Sequence, residues 1–204
     1  METYNDCYLF GFISESPKIK VNKDVWRITV PFYFLTEHYP NVRLAEIDVV
    51  LADSDGKDEF TRKKPFDILS LHGHIQRHTD GRLYLYLLEY TEAGFAKSKE
   101  NAVMRLAGHT GSLLFLKGEL KNGQLVVPRV RQKKNITSHD VFKIEGLNGK
   151  DGELVSCRCQ INADGTIRKK EVRPTVFNSE PLLRKDSEVR PVNSNSSVEE
   201  GGAR

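Results

Sequence analysis

The chain has 204 residues, of which 38% are hydrophobic and 29% are charged, so it can form one sizeable domain or two small ones. No apolar run approaches the roughly 18 residues of a transmembrane helix, and no secretory signal or Arg-rich transit peptide is visible. The 31 basic and 28 acidic residues leave a net charge of +3, which excludes a dedicated polycation. The three cysteines cannot all pair, which indicates a reducing, cytoplasmic setting.

Alternation of apolar and polar residues dominates the first 90 residues and predicts β-strands. The expected strands cover residues 8–13, 26–35, 45–51, 68–75 and 82–90. Gly11 and Gly73 interrupt two of them, and glycine within a strand permits sharp coiling or the close approach of another backbone. Residues 21–24 predict a hairpin turn. Five strands in about 85 residues are typical of a small closed barrel.

The periodicity changes after the fifth strand. Phe95, Ala102, Val103 and Leu106 recur at helical spacing and predict an amphipathic helix over residues 93–107. Further strands are expected at residues 113–119, 125–130, 153–161 and 166–172. From about residue 177 the periodicity disappears, which predicts a disordered tail.

The predicted domain organisation has four parts. Residues 1–91 form the barrel, 92–110 a helical connector, 111–176 a second and smaller β unit, and 177–204 the tail. Residues 68–74 and 113–119 are weakly similar to each other, since each apolar run contains a glycine and is followed by another strand. This similarity indicates either a duplicated half-barrel or two generic hairpins.

The order of motifs in the first half identifies a related family. The run Leu9-Phe10-Gly11-Phe12-Ile13-Ser14-Glu15-Ser16-Pro17 places a glycine in an apolar first strand and a proline six residues later. A long alternating strand, the strand Ile47-Asp48-Val49-Val50-Leu51, a polar segment over residues 55–64 and the run Leu71-His72-Gly73-His74-Ile75-Gln76 follow. In this order and spacing, residues 7–90 resemble the bacterial single-stranded DNA-binding proteins, which are OB-fold barrels.

The resemblance implies a mainly β protein whose OB barrel binds and protects single-stranded DNA without strong sequence preference, in replication, recombination or DNA transfer. Relatives with this fold often assemble by strand pairing, so a homo-oligomer and contacts with other replication or transfer proteins stay open. Two departures indicate a divergent member, such as one from a mobile element or phage. Leu51 stands where the family often has a stacking aromatic residue, and residues 198–204 lack the family's acidic tip closed by proline and phenylalanine.

Non-specific binding of single strands needs cations near the phosphates and flat rings for the bases. In residues 82–87 the leucines alternate with Arg82, Tyr84 and Tyr86, which predicts the leucines in the core and the other three on one outer face. Tyr33 shares its predicted face with Arg27. Coverage of these rings by other parts of the chain is the alternative. The predicted nucleic-acid contacts are Arg27, Tyr33, Arg62, Lys63, Lys64, Arg82, Tyr84, Tyr86, Arg129, Arg131 and Lys133.

Basic residues cluster at 62–64, 129–134 and 168–170. Each cluster is an ordinary solvated face unless the fold gathers it with aromatic residues. His72 and His74 share one face of a strand, as do Cys157 and Cys159, but neither pair has the spacing of a zinc site. No nucleophile-elbow, phosphate-loop or zinc-protease motif occurs, so neither catalysis, a metal nor a cofactor is predicted.

Two other functions stay open at this point. An OB barrel with a β extension can hold partner subunits of a replication or transfer complex as a protein–protein adaptor. It can also bind RNA, because OB folds take both kinds of oligonucleotide. A titration with oligo-dT, single-stranded RNA and duplex DNA separates the three interpretations.

The tail gives a first test. Residues 180–204 hold five acidic and four basic residues, a net charge of −1, with few large apolar groups beyond Leu182 and Leu183. Such a segment is not expected to compete for a DNA groove or to pack on the fold. Deleting residues 186–204 should therefore leave the melting temperature and the affinity for oligo-dT nearly unchanged. Severalfold tighter binding would show that the tail guards the groove, and a large loss of stability would show that it is packed.

Overall fold

The computed structural model describes residues 4–22, 25–37, 40–52, 57–129 and 138–170, and it shows a mainly β protein as predicted. The elements are β1 (Tyr4–Ile13), β2 (Lys18–Asn22), β3 (Val25–Glu37), β4 (Arg43–Ala52), α1 (Lys57–Phe60), β5 (Asp67–Arg77), β6 (Leu83–Phe95), α2 (Lys99–Leu106), β7 (Ser112–Lys121), β8 (Gln124–Pro128), β9 (His139–Phe142), β10 (Ile144–Glu145), β11 (Leu154–Ile161) and β12 (Ile167–Lys169). Residues 177–204, the predicted tail, lie outside the described residues.

The five strands expected in the first half close into a barrel. Each strand hydrogen-bonds to the next in the ring β1–β5–β6–β4–β3, and β3 returns to β1. The β4–β6 pair is parallel and the other pairs of the ring are antiparallel. In chain order the five barrel strands are β1, β3, β4, β5 and β6. Read from β1 through β3, the ring is β1–β3–β4–β6–β5, that is, first, second, third, fifth and fourth strand. This is the Greek-key order of the OB fold. The predicted OB barrel is confirmed.

Alternation places one face of each strand inside the barrel. On β3 the inward residues are Ile28, Val30, Phe32 and Phe34, all fully buried in the main core cluster. Leu85 and Leu87 of β6 also lie in this core and Leu83 packs against it, so the predicted inward orientation of the leucines is confirmed.

Two strand glycines allow backbones to approach closely, as predicted. A Cβ atom at Gly11 would lie 1.9 Å from the carbonyl oxygen of Tyr33, where β1 crosses onto β3. At Gly73 it would lie 2.1 Å from the carbonyl oxygen of Tyr86, next to a shift in the β5–β6 register. No other residue type fits either position without separating the strands.

Several boundaries differ from the predicted ones. Residues 21 and 22, predicted as part of a turn, belong to β2, while 23 and 24 lie outside the described residues. Residues 93–95, predicted as helical, instead extend β6, because they continue its ladder with the start of β5. The helix begins later, where the Ser98 side chain accepts a hydrogen bond from the Asn101 amide and caps the first turn. Phe95 is therefore not on the helix, whereas Ala102 and Leu106 are buried as predicted.

The second β unit is built around β7. Its strands follow the order β9–β8–β7–β11–β12–β10, and β7 also pairs with β1 of the barrel. The strands predicted near 113–119, 125–130, 153–161 and 166–172 correspond to β7, β8, β11 and β12, whereas the short strands β9 and β10 were not predicted. Residues of both parts join one core cluster, and residues 1–172 form a single compact unit. The two similar segments, 68–74 and 113–119, lie on β5 and β7. Both strands pair antiparallel with β1, one on each of its edges.

A buried carboxylate ties the second unit to the barrel. Asp140 of β9 is nearly inaccessible, and its Oδ1 accepts a hydrogen bond from the Arg77 amide at the end of β5, at 3.1 Å. Its Oδ2 lies 2.9 Å from Nε of Arg129, and Nη2 of Arg129 also contacts the carboxylate and donates to the Arg77 carbonyl at 2.8 Å. The hydrogen bonds that Arg129 donates to the Asp140 carboxylate raise the pKa of Arg129.

Replacing Gly11 by alanine should destabilise the barrel strongly, because the added methyl group overlaps the backbone of β3 rather than a movable side chain. We expect a loss of about 3 kcal/mol in the free energy of unfolding, measured with urea. The control is Ser70→Ala, an exposed position on β5 that pairs with Phe10. A loss below about 1 kcal/mol for Gly11→Ala would show that β1 and β3 separate easily.

Replacing Asp140 by alanine should leave the Arg129 charge and the Arg77 amide without their partner, and should lower the free energy of unfolding by roughly 3 kcal/mol. Arg129→Ala should be destabilising as well. The double variant should lose less than the sum of the two single variants, because either change already breaks the pair. Strict additivity in this cycle would contradict the coupling.

Candidate nucleic-acid interface

The outer side of β2, β3 and β6 carries cations and rings on a single surface. Cross-strand pairing sets Lys20 opposite Arg27 and Lys18 opposite Thr29, and β4 connects this side to β6 through the pairs Thr29–Val50 and Val50–Tyr86. Because paired residues point to the same side of a sheet, these side chains share the surface opposite the barrel core. We call this surface the barrel face, and it comprises Lys18, Lys20, Arg27, Thr29, Tyr33, Arg82, Tyr84 and Tyr86.

Tyr84 is on the predicted outer face but is covered there by other side chains. Only 8% of the residue is exposed, and its hydroxyl donates to Oε1 of Gln76 at 2.5 Å. The His78 ring stacks on it with centroids 4.3 Å apart, and the Arg27 guanidinium lies 5.7 Å from the ring centroid. Tyr84 therefore orients Arg27 and His78, whereas the sequence predicted an open ring for stacking. Arg27 itself is exposed.

Tyr33 lies further along β3 and is partly exposed. A hydrogen bond with Glu46 and partial burial raise the pKa of its hydroxyl, and Nζ of Lys99 lies 4.8 Å from the ring centroid. The ring also packs against Phe12 at 5.6 Å. Tyr33 is thus held in place by its contacts with Glu46, Phe12 and Lys99.

Exposed ion pairs occupy the loops at the edge of the barrel face. Nε of Arg82 lies 2.8 Å from Asp80 in the loop between β5 and β6, and Nζ of Lys18 lies 2.8 Å from Glu15 before β2. Hydrogen bonds from the backbone and side chain of Arg82 lower the pKa of Asp80. Exposed pairs of this kind contribute little to stability, so a phosphate can replace the carboxylate at small cost.

The other predicted contacts do not join the barrel face. Lys63 is buried, forms an ion pair with Glu92 and lies 5.2 Å from the Tyr90 ring centroid, roughly 20 Å along β6 from Tyr84. Arg62 and Lys64 are exposed on the segment that follows α1. Arg129 is bound to Asp140, and Arg131 and Lys133 lie outside the described residues. The charge of Lys63 and Arg129 is thus directed at carboxylates of the protein itself.

The sequence analysis missed three side chains that the structure brings to this surface. Lys18 and Lys20 alternate with Ile19 in β2, a signal that the expected turn obscured. His78 was not among the predicted contacts, yet its ring stacks on Tyr84, and its Nε2 lies 3.7 Å from Asp48. Finding His78 required its long-range partners, because nothing in the local sequence distinguishes it.

The described residues contain no cluster of three metal-binding side chains and no helix that could cross a membrane. Cys7, Cys157 and Cys159 are free and buried, and burial raises the pKa of the Cys7 thiol. These thiols therefore act as small apolar core residues.

Two solved structures share this architecture. Wild-type single-stranded DNA-binding protein from Thermus aquaticus superposes with a TM-score of 0.56 at 9% identity, covering 98% of each chain. A deletion mutant of that protein gives a TM-score of 0.55 at 10% identity, covering 84% of this chain and 93% of the other. No protein-family model and no curated protein sequence matches the chain. The chain thus has the fold of these two structures, from the OB barrel through the second β unit.

Proposed function

We propose that this protein is a divergent member of the bacterial single-stranded DNA-binding family, and that it binds and protects single-stranded DNA without strong sequence preference. The observation that carries the proposal is the barrel face itself. OB folds bind oligonucleotides on the face of their second and third strands and at the loops after the first and fourth. Arg27 and Tyr33 lie on β3, the second strand of the barrel, Lys20 lies on β2 in the connection after the first strand, and Arg82 ends the connection after the fourth strand.

In this proposal the basic residues of the barrel face contact phosphates and its tyrosines contact bases. Lys18, Lys20, Arg27 and Arg82 meet the phosphates, since all four are exposed and none has a buried carboxylate partner among the described residues. The rings of Tyr33 and Tyr86 stack with bases. The Tyr84 ring contacts the Arg27 guanidinium and orients it. Binding of this kind needs no cofactor and breaks no bond, so the proposed protein is not an enzyme.

The biological setting we propose is replication, recombination or DNA transfer in the cytoplasm, with a mobile element or phage as one source. A homo-oligomer is part of this proposal. Arg62 and Lys64 remain predicted contacts, because a strand longer than the barrel face can reach the segment after α1.

A protein–protein adaptor is the second candidate, and one observation favours it. Phe95 at the end of β6 and Met104 on α2 are 61% and 68% exposed, and both line a shallow groove of about 430 Å³ together with Lys97 and Arg105. Large apolar side chains exposed side by side are typical of partner surfaces. Phe95→Ser with Met104→Ser would abolish partner capture under this interpretation and would leave DNA affinity unchanged.

The direct test is a fluorescence-anisotropy titration with labelled oligo-dT, single-stranded RNA and duplex DNA over a range of salt concentrations. Tight, length-dependent binding to dT that weakens with salt supports the proposal. Preference for RNA would favour the RNA-binding alternative, and absence of binding to all three would leave the adaptor.

Removing Lys20 and Arg27 should make the salt dependence shallower. The logarithm of affinity falls with the logarithm of salt with a slope of about −0.7 per contacted phosphate for single strands, so the double variant Lys20→Ala, Arg27→Ala should flatten it by roughly 1.4. The matched control is Lys121→Ala with Lys150→Ala, which removes the same charge from exposed positions on the second β unit. Equal slopes for both double variants would exclude β2 and β3 from the site.

A further inference from the structure

The shallow groove between the end of β6 and helix α2 has an unusual lining: the described residues around it include one exposed ring, two cations and no carboxylate. They are Phe95, Ala96, Lys97, Asn101, Met104 and Arg105. The volume of about 430 Å³ falls within the roughly 300 to 1,000 Å³ of typical small-ligand sites. We call this groove the α2 groove.

We propose that the α2 groove is a nucleotide subsite for single-stranded nucleic acid, in which one base stacks on Phe95 while Lys97 and Arg105 contact phosphates. The inference rests on the proposed function, and it extends the path of the bound strand from Tyr33 to the end of β6. It gives the groove a different occupant from the protein partner of the adaptor interpretation.

Phe95 is an aromatic ring that the described part of the chain leaves open. It is the last residue of β6, opposite Asp67 of β5, and 61% of it is exposed. The next residue, Ala96, is buried, and its amide donates to the Phe66 carbonyl at 3.0 Å, so the backbone beside the ring is fixed. Met104 of α2 adds apolar surface to the same groove. A base of any identity can stack on such a ring, because every base has a flat face.

The two cations of the groove have no carboxylate partner. Within the residues that the structure describes, neither Lys97 nor Arg105 forms an ion pair, and both are exposed. The Arg105 guanidinium reaches the end of β6, since its Nη1 lies 3.3 Å from the position that a Cβ atom at Gly94 would take. Both cations therefore lie close to Phe95 and are available to phosphates.

The other charges near the groove do not cancel these cations. Glu92 of β6 is paired with Lys63. The Asp67 carboxylate accepts a hydrogen bond from the Lys64 amide at 2.8 Å. Glu100 lies in the first turn of α2, where a hydrogen bond with its own backbone lowers its pKa. Besides Glu92, residues 64–67 and 92–107 hold two carboxylates and four cations, namely Asp67, Glu100, Lys64, Lys97, Lys99 and Arg105. The surroundings of the groove are therefore positively charged.

The α2 groove is within reach of a strand bound to the barrel face. Nζ of Lys99 lies 4.8 Å from the Tyr33 ring centroid, and Lys97 lines the groove two residues earlier in the chain. The strand ladders connect the two places through the pairs Tyr33–Phe12, Phe12–Ile68 and Ile68–Gly94. Three strand spacings amount to about 15 Å. A strand that passes Tyr33 thus meets Lys99 and Lys97 before it reaches Phe95.

The charge of the groove favours a nucleotide over a protein partner. Exposed apolar groups such as Phe95 and Met104 suit either kind of ligand. The centre of a protein interface is depleted of charged residues, and of lysine in particular, whereas Lys97 lies within the groove itself. Each nucleotide supplies both a flat ring and an anion, which match the ring and the cations present here.

The test measures the affinity of Phe95 variants for dT of about 6 and about 16 nucleotides, which lie within the range of site sizes for one OB fold. Phe95→Leu removes the ring and keeps an apolar side chain. It should weaken binding of the longer strand about tenfold and leave the shorter strand, which the barrel face can hold alone, unaffected. Phe95→Tyr keeps the ring and should bind both strands as wild type does.

The cations are tested by the double variant Lys97→Ala, Arg105→Ala. For the longer strand, its salt slope should be flatter than that of wild type by roughly 1.4, because two phosphate contacts are lost. The Lys121→Ala, Lys150→Ala variant is again the matched control, and it should keep the wild-type slope.

Several results would overturn the inference. Wild-type affinity of Phe95→Leu for the longer strand would leave the groove to the protein partner of the adaptor interpretation. An equal loss for both strands, or a loss that Phe95→Tyr shares, would show that Phe95 acts through packing. A changed oligomeric state in sedimentation velocity would make the groove an interface between copies of the chain. If the wild-type protein binds neither strand, the proposed function itself fails, whereas failure of the subsite alone leaves binding of the shorter strand intact.

Discussion

Strand β1 joins three other strands, and the rest of the fold depends on how its two edges are shared. One edge pairs with β5 from Cys7 to Phe12. The other edge pairs with β7 from Tyr4 to Leu9 and then, from Gly11 onward, with β3. The change of partner occurs at Phe10, whose amide donates to the Gly111 carbonyl. Three backbones meet within a few residues, and a side chain at Gly11 or Gly111 would overlap a carbonyl oxygen of β3.

This shared edge also explains why the two parts of the chain form one unit. Since β7 continues the sheet where β3 leaves it, the barrel core runs without interruption into the second core. Away from β1, Asp140 of β9 accepts hydrogen bonds from the Arg77 amide at the end of β5 and from Arg129, which joins the second unit to the barrel at another point. Breaking either contact exposes part of a common core, so the two parts cannot unfold independently at small cost.

Burial sorts the basic residues into two groups that the sequence alone does not distinguish. Lys63 and Arg129 lose hydration and must keep their carboxylate partners, because an unpaired charge at such a place is strongly destabilising. Arg82 and Lys18 keep their hydration, and their exposed pairs can be exchanged for a ligand. The sequence predicted Lys63, Arg129 and Arg82 alike as contacts and missed Lys18. Only long-range pairing, with sequence separations such as that of Lys63 and Glu92, reveals which cations are free to act.

The parts of the fold that the sequence predicted are those that alternation determines locally. The inward leucines of β6 and the breaks at Gly11 and Gly73 follow from period-two patterns, whereas the OB order of the barrel strands was implied by the family resemblance over residues 7–90. The coverage of Tyr84 could not be predicted in this way, because Arg27 and His78 come from other parts of the chain. The same distinction accounts for an architecture shared at 9% identity. Alternation tolerates exchange of almost any apolar residue for another. The positions under the strictest constraint are therefore the glycines where strands cross.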